Sequence, residues 1–288
     1  MDTKELIKQV RKIEIKTKGL SNHIFSGEYH SAFKGRGMAF SEVRDYQAGD
    51  EIRTIDWNVT ARFNEPYVKV FEEERELTVM LLVDMSGSQN FGITSKTKRE
   101  LVAEISAVLS FSAIANNDKI GLIIFTSEVE LFIPPKKGKN HTLRIIRELI
   151  DFQPNKKGTD IGEALRYFSK TVKKRSIAFL LSDFDDSNFQ DAIRMTAKKH
   201  DLVGFRIIDP SEIELPNIGY VDFVNQETGE IETINTSSKK VRSQYANDAQ
   251  LRLKEIENSL KKSGIDFETI DTEEDYVKPL IKLFNRRI

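Results

Sequence analysis

The stretch LTVMLLVDMSGS, residues 77–88, decides how the rest of the chain is read. Its first seven residues are aliphatic or β-branched without polar alternation, which suits a strand buried on both faces, as in a parallel sheet. The run stops at Asp84, and Ser86 and Ser88 follow at alternate positions with Gly87 between them. Taken alone, one carboxylate and two hydroxyls at a strand end have three readings. They fit a turn with capping side chains, a nucleophile with its helper, or the first oxygens of a metal site.

The same rhythm recurs downstream. KIGLIIF (119–125), SIAFLLS (176–182) and LVGFRII (202–208) read as further buried strands, and IDFETID (265–271) as a last one. EVELFIP (128–134) alternates and lies close enough to its predecessor to form a hairpin. GYVDFVNQETGEIETIN (219–235) reads as a second hairpin, turning at Glu227–Glu230. Helical spacing covers 98–115, 140–151, 161–173, 188–199, 239–262 and 274–286. Strands alternating with helices predict an α/β fold, a doubly wound and mainly parallel sheet flanked by helices, of Rossmann type.

Residues 1–75 differ in texture. Leu6, Val10 and Ile13 predict a short amphipathic helix over 2–14, after which the chain is rich in charge, glycine and aromatics. PYVKVFEEE predicts an edge strand, with Pro66 at its start, where a missing N–H is tolerated. The expected organisation is a preamble, 1–75, packing on a main domain, 76–288. Trp57 is expected to be the packing anchor between them. Arg36, Arg44, Arg53 and Arg62 are interleaved with Glu42, Asp45, Asp50, Glu51 and Asp56, a pattern that predicts internal salt bridges.

Composition narrows the function. Forty-four Lys and Arg face 45 Asp and Glu, a net charge of −1, which gives no reason to expect nucleic-acid binding. The chain contains no cysteine, so disulfides, thiolate chemistry and Cys-ligated zinc are excluded. No apolar run approaches the roughly 20 residues of a membrane helix. The expectation is a cytoplasmic chain without membrane insertion.

In a doubly wound sheet, ligands bind at the carboxyl ends of the strands. Three such loops carry oxygen donors: Asp84-Met85-Ser86-Gly87-Ser88, Thr159 and Asp160 in KKGTDIGEAL, and Asp183 in LLSDFDDSN. All are hard donors, which points to Mg²⁺ or Mn²⁺. Asp160 reads as a helix cap, and Asp185 and Asp186 as loop or helix-start acids. A serine nucleophile needs a base, and His23, His30, His141 and His200 have no recognisable catalytic setting. His200 is expected at a helix end, where a cation suits the dipole. The alternative enzyme reading, a Mg²⁺-dependent phosphohydrolase acting on a small phosphate ester, lacks a phosphate loop, because KKGKN does not have the spacing of one.

The ordered set Asp84-x-Ser86-x-Ser88, Thr159 and Asp183 resembles the metal-ion-dependent adhesion site of von Willebrand factor A domains. DKIGLIIFT, GTDIGEAL and LLSD stand around it on the matching elements, and the likeness spans about residues 77–288. SAFKGRGMAFSEVRDYQAGDEIRTIDWNVTAR, running on through PYVKVFEEERELTVMLLVDMSGS, resembles the domain-of-unknown-function 58 family of bacterial proteins over about residues 27–90. That resemblance implies a partnership with MoxR-type AAA+ ATPases as an adaptor or chaperone-like protein, and no established enzymatic activity. The likeness to the adhesion site implies metal ligation by Asp84, Ser86, Ser88, Thr159 and, through water, Asp183. Gln89 stands where related A domains usually have an apolar residue, and is expected to alter loop packing rather than coordination.

Overall fold

A computed structural model describes residues 39–63, 65–72, 76–90, 97–156, 158–224 and 231–287. The helix expected at 2–14, Arg36 and the turn at 227–230 lie outside the described residues. Of those described, 39–77 form one compact unit and 78–287 belong to another.

In the small unit, β1 (Ala39–Asp45) pairs antiparallel with β2 (Tyr67–Glu72), and helix α1 (Trp57–Phe63) lies between them in sequence. The expected edge strand is β2, entered from Pro66. Arg44 holds Asp50 with two bonds of 2.7 Å, one of the expected internal pairs, and Asp56 lies 3.5 Å from Lys69. Trp57 is 66 % exposed, on a two-turn helix with no buried residue. The buried apolar side chain here is Val68.

In the large unit the six-stranded sheet runs β10 (Asp266–Asp271), β7 (Asp201–Ile208), β6 (Ile177–Ser182), β3 (Thr78–Asp84), β4 (Lys119–Phe125), β5 (Val129–Lys136). Every neighbouring pair is parallel except β4–β5, the expected hairpin. The chain leaves β3 toward β4 and later returns to β6 on the other side. The order therefore reverses between β3 and β6, the place where open α/β sheets bind ligands. Strands β3, β4 and β6 are buried almost throughout, which is why they read as continuous apolar runs.

Helices α2 (Lys98–Ala115), α3 (Lys139–Asp151), α4 (Ile161–Thr171), α5 (Gln190–Lys199), α6 (Lys239–Ser263) and α7 (Val277–Arg287) cover the sheet. Met80, Leu82, Ile123 and Leu180 pack with Ile161, Leu165 and Phe168 of α4. α6 stops at Gly264, whose φ of 72° is the left-handed geometry glycine adopts freely. A separate antiparallel hairpin, β8 (Tyr220–Val224) and β9 (Ile231–Asn235), interrupts the winding. Among the described residues no helix is long and apolar enough to cross a membrane.

Candidate functional site

The carboxyl ends of β3 and β6 bring two aspartates together. Register pairs Val83 with Leu181, so Asp84 closes β3 where Ser182 closes β6, and Asp183 follows one residue later. Asp84 is wholly buried. Its Oδ1 accepts the Ser86 N–H at 2.9 Å and its Oδ2 accepts the Ser182 hydroxyl at 2.6 Å. Ser182 in turn accepts the Phe184 N–H at 3.0 Å, tying the two strand ends. The Ser86 and Ser88 hydroxyls lie 3.1 Å apart, so alternate spacing does turn both to one side.

Asp183 is almost as deeply buried but differently partnered. Lys98 Nζ donates to its Oδ2 at 3.0 Å, and the Asp185 N–H reaches its Oδ1 at 3.2 Å. The same ammonium lies 2.5 Å from Glu212 Oε1, on the turn that follows β7. Gln89 is buried beside Asp183, with Nε2 3.5 Å from Oδ2 and Oε1 without a hydrogen-bond partner among the described residues. Its side chain thus faces the site rather than merely changing how the loop packs. Phe184, next in sequence, has a φ of 61°, unusual for a bulky residue, and is wholly buried against Phe189.

The two carboxylates carry opposite perturbations. Burial, and then the charge of Asp183, push the Asp84 carboxyl up to about 7 despite the bonds from Ser182 and Ser86. Burial acts on Asp183 in the same sense. There the Lys98 ammonium and hydrogen bonds from Ser88, Lys98 and the Asp185 N–H outweigh it, and its carboxyl sits below the usual range. Burial would lower Lys98, but Asp183 and Glu212 hold it above the ordinary lysine value, firmly as the cation.

Thr159 comes from the third loop. It is half-buried on the loop before α4 and lines a cavity of about 540 Å³ together with Asp185, Asp186, Gln190, Arg252 and Glu255. Asp160 caps α4, accepting the Glu163 N–H at 2.6 Å, as its position predicts. Asp186 accepts the Ile161 N–H at 2.9 Å and so joins this loop to the one after β6. Exposed Asp185 lies 3.6 Å from Arg252.

Neither described histidine is at this edge. His141 bonds Ile120 O at 3.0 Å, at the opposite end of β4. His200 is a correction: it is buried against Phe168, with ring centroids 4.3 Å apart, and does not stand at an open helix end as a cation. Burial, then Lys199 and Arg175, lower it to about 4, so it is neutral.

Among the described residues no three His, Cys, Asp or Glu side chains group as a metal site, so an ion here would depend on the hydroxyls. The donors suit one: oxygens only, a buried carboxylate short of positive charge at Asp84, two convergent hydroxyls, and an orphaned acceptor in Gln89.

The family model "Protein of unknown function DUF58" matches residues 42–255. The chain belongs to this family. A curated relative, "Uncharacterized protein Rv1480" of Mycobacterium tuberculosis, is 25 % identical over 290 residues, covering 100 % of this chain and 91 % of the relative. Among solved structures, an aerotolerance-related membrane protein from Bacteroides fragilis aligns with a TM-score of 0.50 at 16 % identity, covering 73 % of this chain and 98 % of that one. BatB from Bacteroides thetaiotaomicron aligns with a TM-score of 0.49 at 15 % identity, with the same coverage. The DUF58 chain has the expected von Willebrand A-like, doubly wound α/β fold, with the sheet order given above.

Proposed function

We propose that this DUF58 protein is a non-enzymatic protein–protein interaction module whose contact depends on a divalent cation, Mg²⁺ or Mn²⁺, at the carboxyl edge of the sheet. Asp84, Ser86 and Ser88 would hold the ion, with Thr159 from the loop before α4 and Asp183 through water. When bound, the ion supplies a Lewis-acidic position for an acidic side chain of the partner. The observation that carries this reading is Asp84: a fully buried carboxylate, with no cation bonded to it among the described residues, beside two hydroxyls 3.1 Å apart.

The chain's own residues prepare the place. Ser182 and the Ser86 N–H fix the Asp84 carboxylate in one orientation, so its ordering cost is met on folding. The buried strands beneath keep water from screening it. The partner class rests on the family resemblance, which points to a MoxR-type AAA+ ATPase, with this chain as adaptor or chaperone-like companion. The test is binding of that ATPase, from the same organism, to wild type and Asp84→Ala, in Mg²⁺ and in chelator. Binding lost in both the variant and the chelator is the expected result. Binding indifferent to both would remove the metal from the account.

A further inference from the structure

Lys98 is placed where a lysine is least expected. Its side chain is 0 % exposed, although lysine is almost never fully buried unless paired. It is also the first residue of α2, the positive end of the helix dipole, which disfavours a cation. The helix does not need it there. Thr97 and Glu100 already form a capping box, with the Glu100 N–H on the Thr97 hydroxyl at 3.2 Å and the Thr97 N–H on Glu100 at 3.2 Å. What accounts for the position is its two carboxylates, Asp183 at 3.0 Å and Glu212 at 2.5 Å. One ammonium thereby links the start of α2 to the loops after β6 and β7.

We propose that Lys98 is a built-in counter-cation of this site: it neutralises Asp183 when no divalent ion is bound, and competes with that ion for the same carboxylate. The inference rests on the metal reading of Asp84 given above. Asp183 and Glu212 share Lys98, and the buried Arg206 acts on both of them and also on Glu257 and Asp185. Neither cation bonds Asp84, whose bonds come from Ser86 and Ser182. A divalent ion drawn to Asp84 comes under the repulsion of Lys98 across Asp183.

Two consequences follow. The Asp183 loop is charge-balanced without metal, so the fold does not depend on the ion. Divalent affinity is lower than the same oxygens would give without the lysine, and binding weakens the hold of Lys98 on Asp183 while leaving Glu212 as its second partner. A merely structural ion pair would stabilise the fold but would leave ion affinity where it is.

The experiment is a Mn²⁺ titration, by electron paramagnetic resonance, of wild type, Lys98→Met and Lys98→Met/Asp84→Asn. The expected result is Mn²⁺ affinity about tenfold or more higher in Lys98→Met, with binding abolished in the double variant. Unchanged affinity in Lys98→Met, with the wild type binding, would overturn the competition and leave the metal site standing. No Mn²⁺ binding to either the wild type or Lys98→Met would overturn both. Because Lys98→Met leaves two buried acids without their lysine and risks misfolding, the Lys98 side-chain ¹⁵N resonance of the wild type gives a second reading. It is expected to shift when Mg²⁺ is added, and not to shift in Asp84→Asn. A resonance that stays still in the wild type at saturating Mg²⁺ would overturn the proposal.

Discussion

Asp84 and Asp183 stand one residue apart in register at the ends of neighbouring parallel strands, yet the protein treats them oppositely. Asp183 has an ammonium at 3.0 Å and sits below the usual carboxylate range. Asp84 has, among the described residues, neutral donors from Ser182 and Ser86, and is pushed up to about 7. Burial is nearly the same at both, so partnership makes the difference. The lesson is that one strand end is complete without an external cation and the other is not.

That asymmetry is open to attack by mutation. Asp183→Ala leaves buried Lys98 with Glu212 alone, and is expected to cost about 3–5 kcal/mol in chelator, measured by urea denaturation. A cost near zero would show that Lys98 does not complete this strand end. The other end of the sheet gives a metal-blind reference. His200, neutral in the fold and near 4, has an unfolded value near 6.5, so the folded protein binds fewer protons between those pH values. Stability is therefore full above pH 6.5 and falls as pH drops toward 4, by about 3 kcal/mol. His200→Phe should flatten that decline, in Mg²⁺ and in chelator alike, as followed by thermal melts across pH.

Asp84→Asn is expected to act in the opposite direction to Asp183→Ala. Removing a buried charge that has no cation should raise stability in chelator by about 1–3 kcal/mol at pH 8, and erase the gain in melting temperature that Mg²⁺ gives the wild type. If both aspartates destabilise alike when neutralised, the comparison fails. The smallest effect concerns the third loop. Asp160→Ala should cost about 1 kcal/mol through loss of the α4 cap, and leave the Mg²⁺ response of the melting temperature intact.

How far this could be read in advance depended on what each residue's surroundings share with sequence. Strands β3, β4 and β6 were legible because burial on both faces leaves an uninterrupted apolar run. Asp84, Ser86 and Ser88 were legible because alternation is local. Lys98 was not: a lysine opening a helix after Thr97 looks like a solvated residue, and its partners lie 85 and 114 positions away. Ser182 was quoted within a strand, yet its bond to Asp84 depends on register between β3 and β6. His200 differs from expectation for a reason that its own sequence neighbours do not carry. Its side-chain type and helix-end position suggest a cation, whereas burial, which only tertiary structure sets, makes it neutral.

The central claim is that the cation deficit at Asp84 is a divalent-ion site, and direct Mn²⁺ titration of wild type beside Asp84→Ala tests it most closely. One ion per chain in the wild type, and none in a variant whose circular dichroism spectrum is unchanged, is the predicted result. Equal binding by the two proteins, or no binding by the wild type at millimolar Mn²⁺, would contradict it.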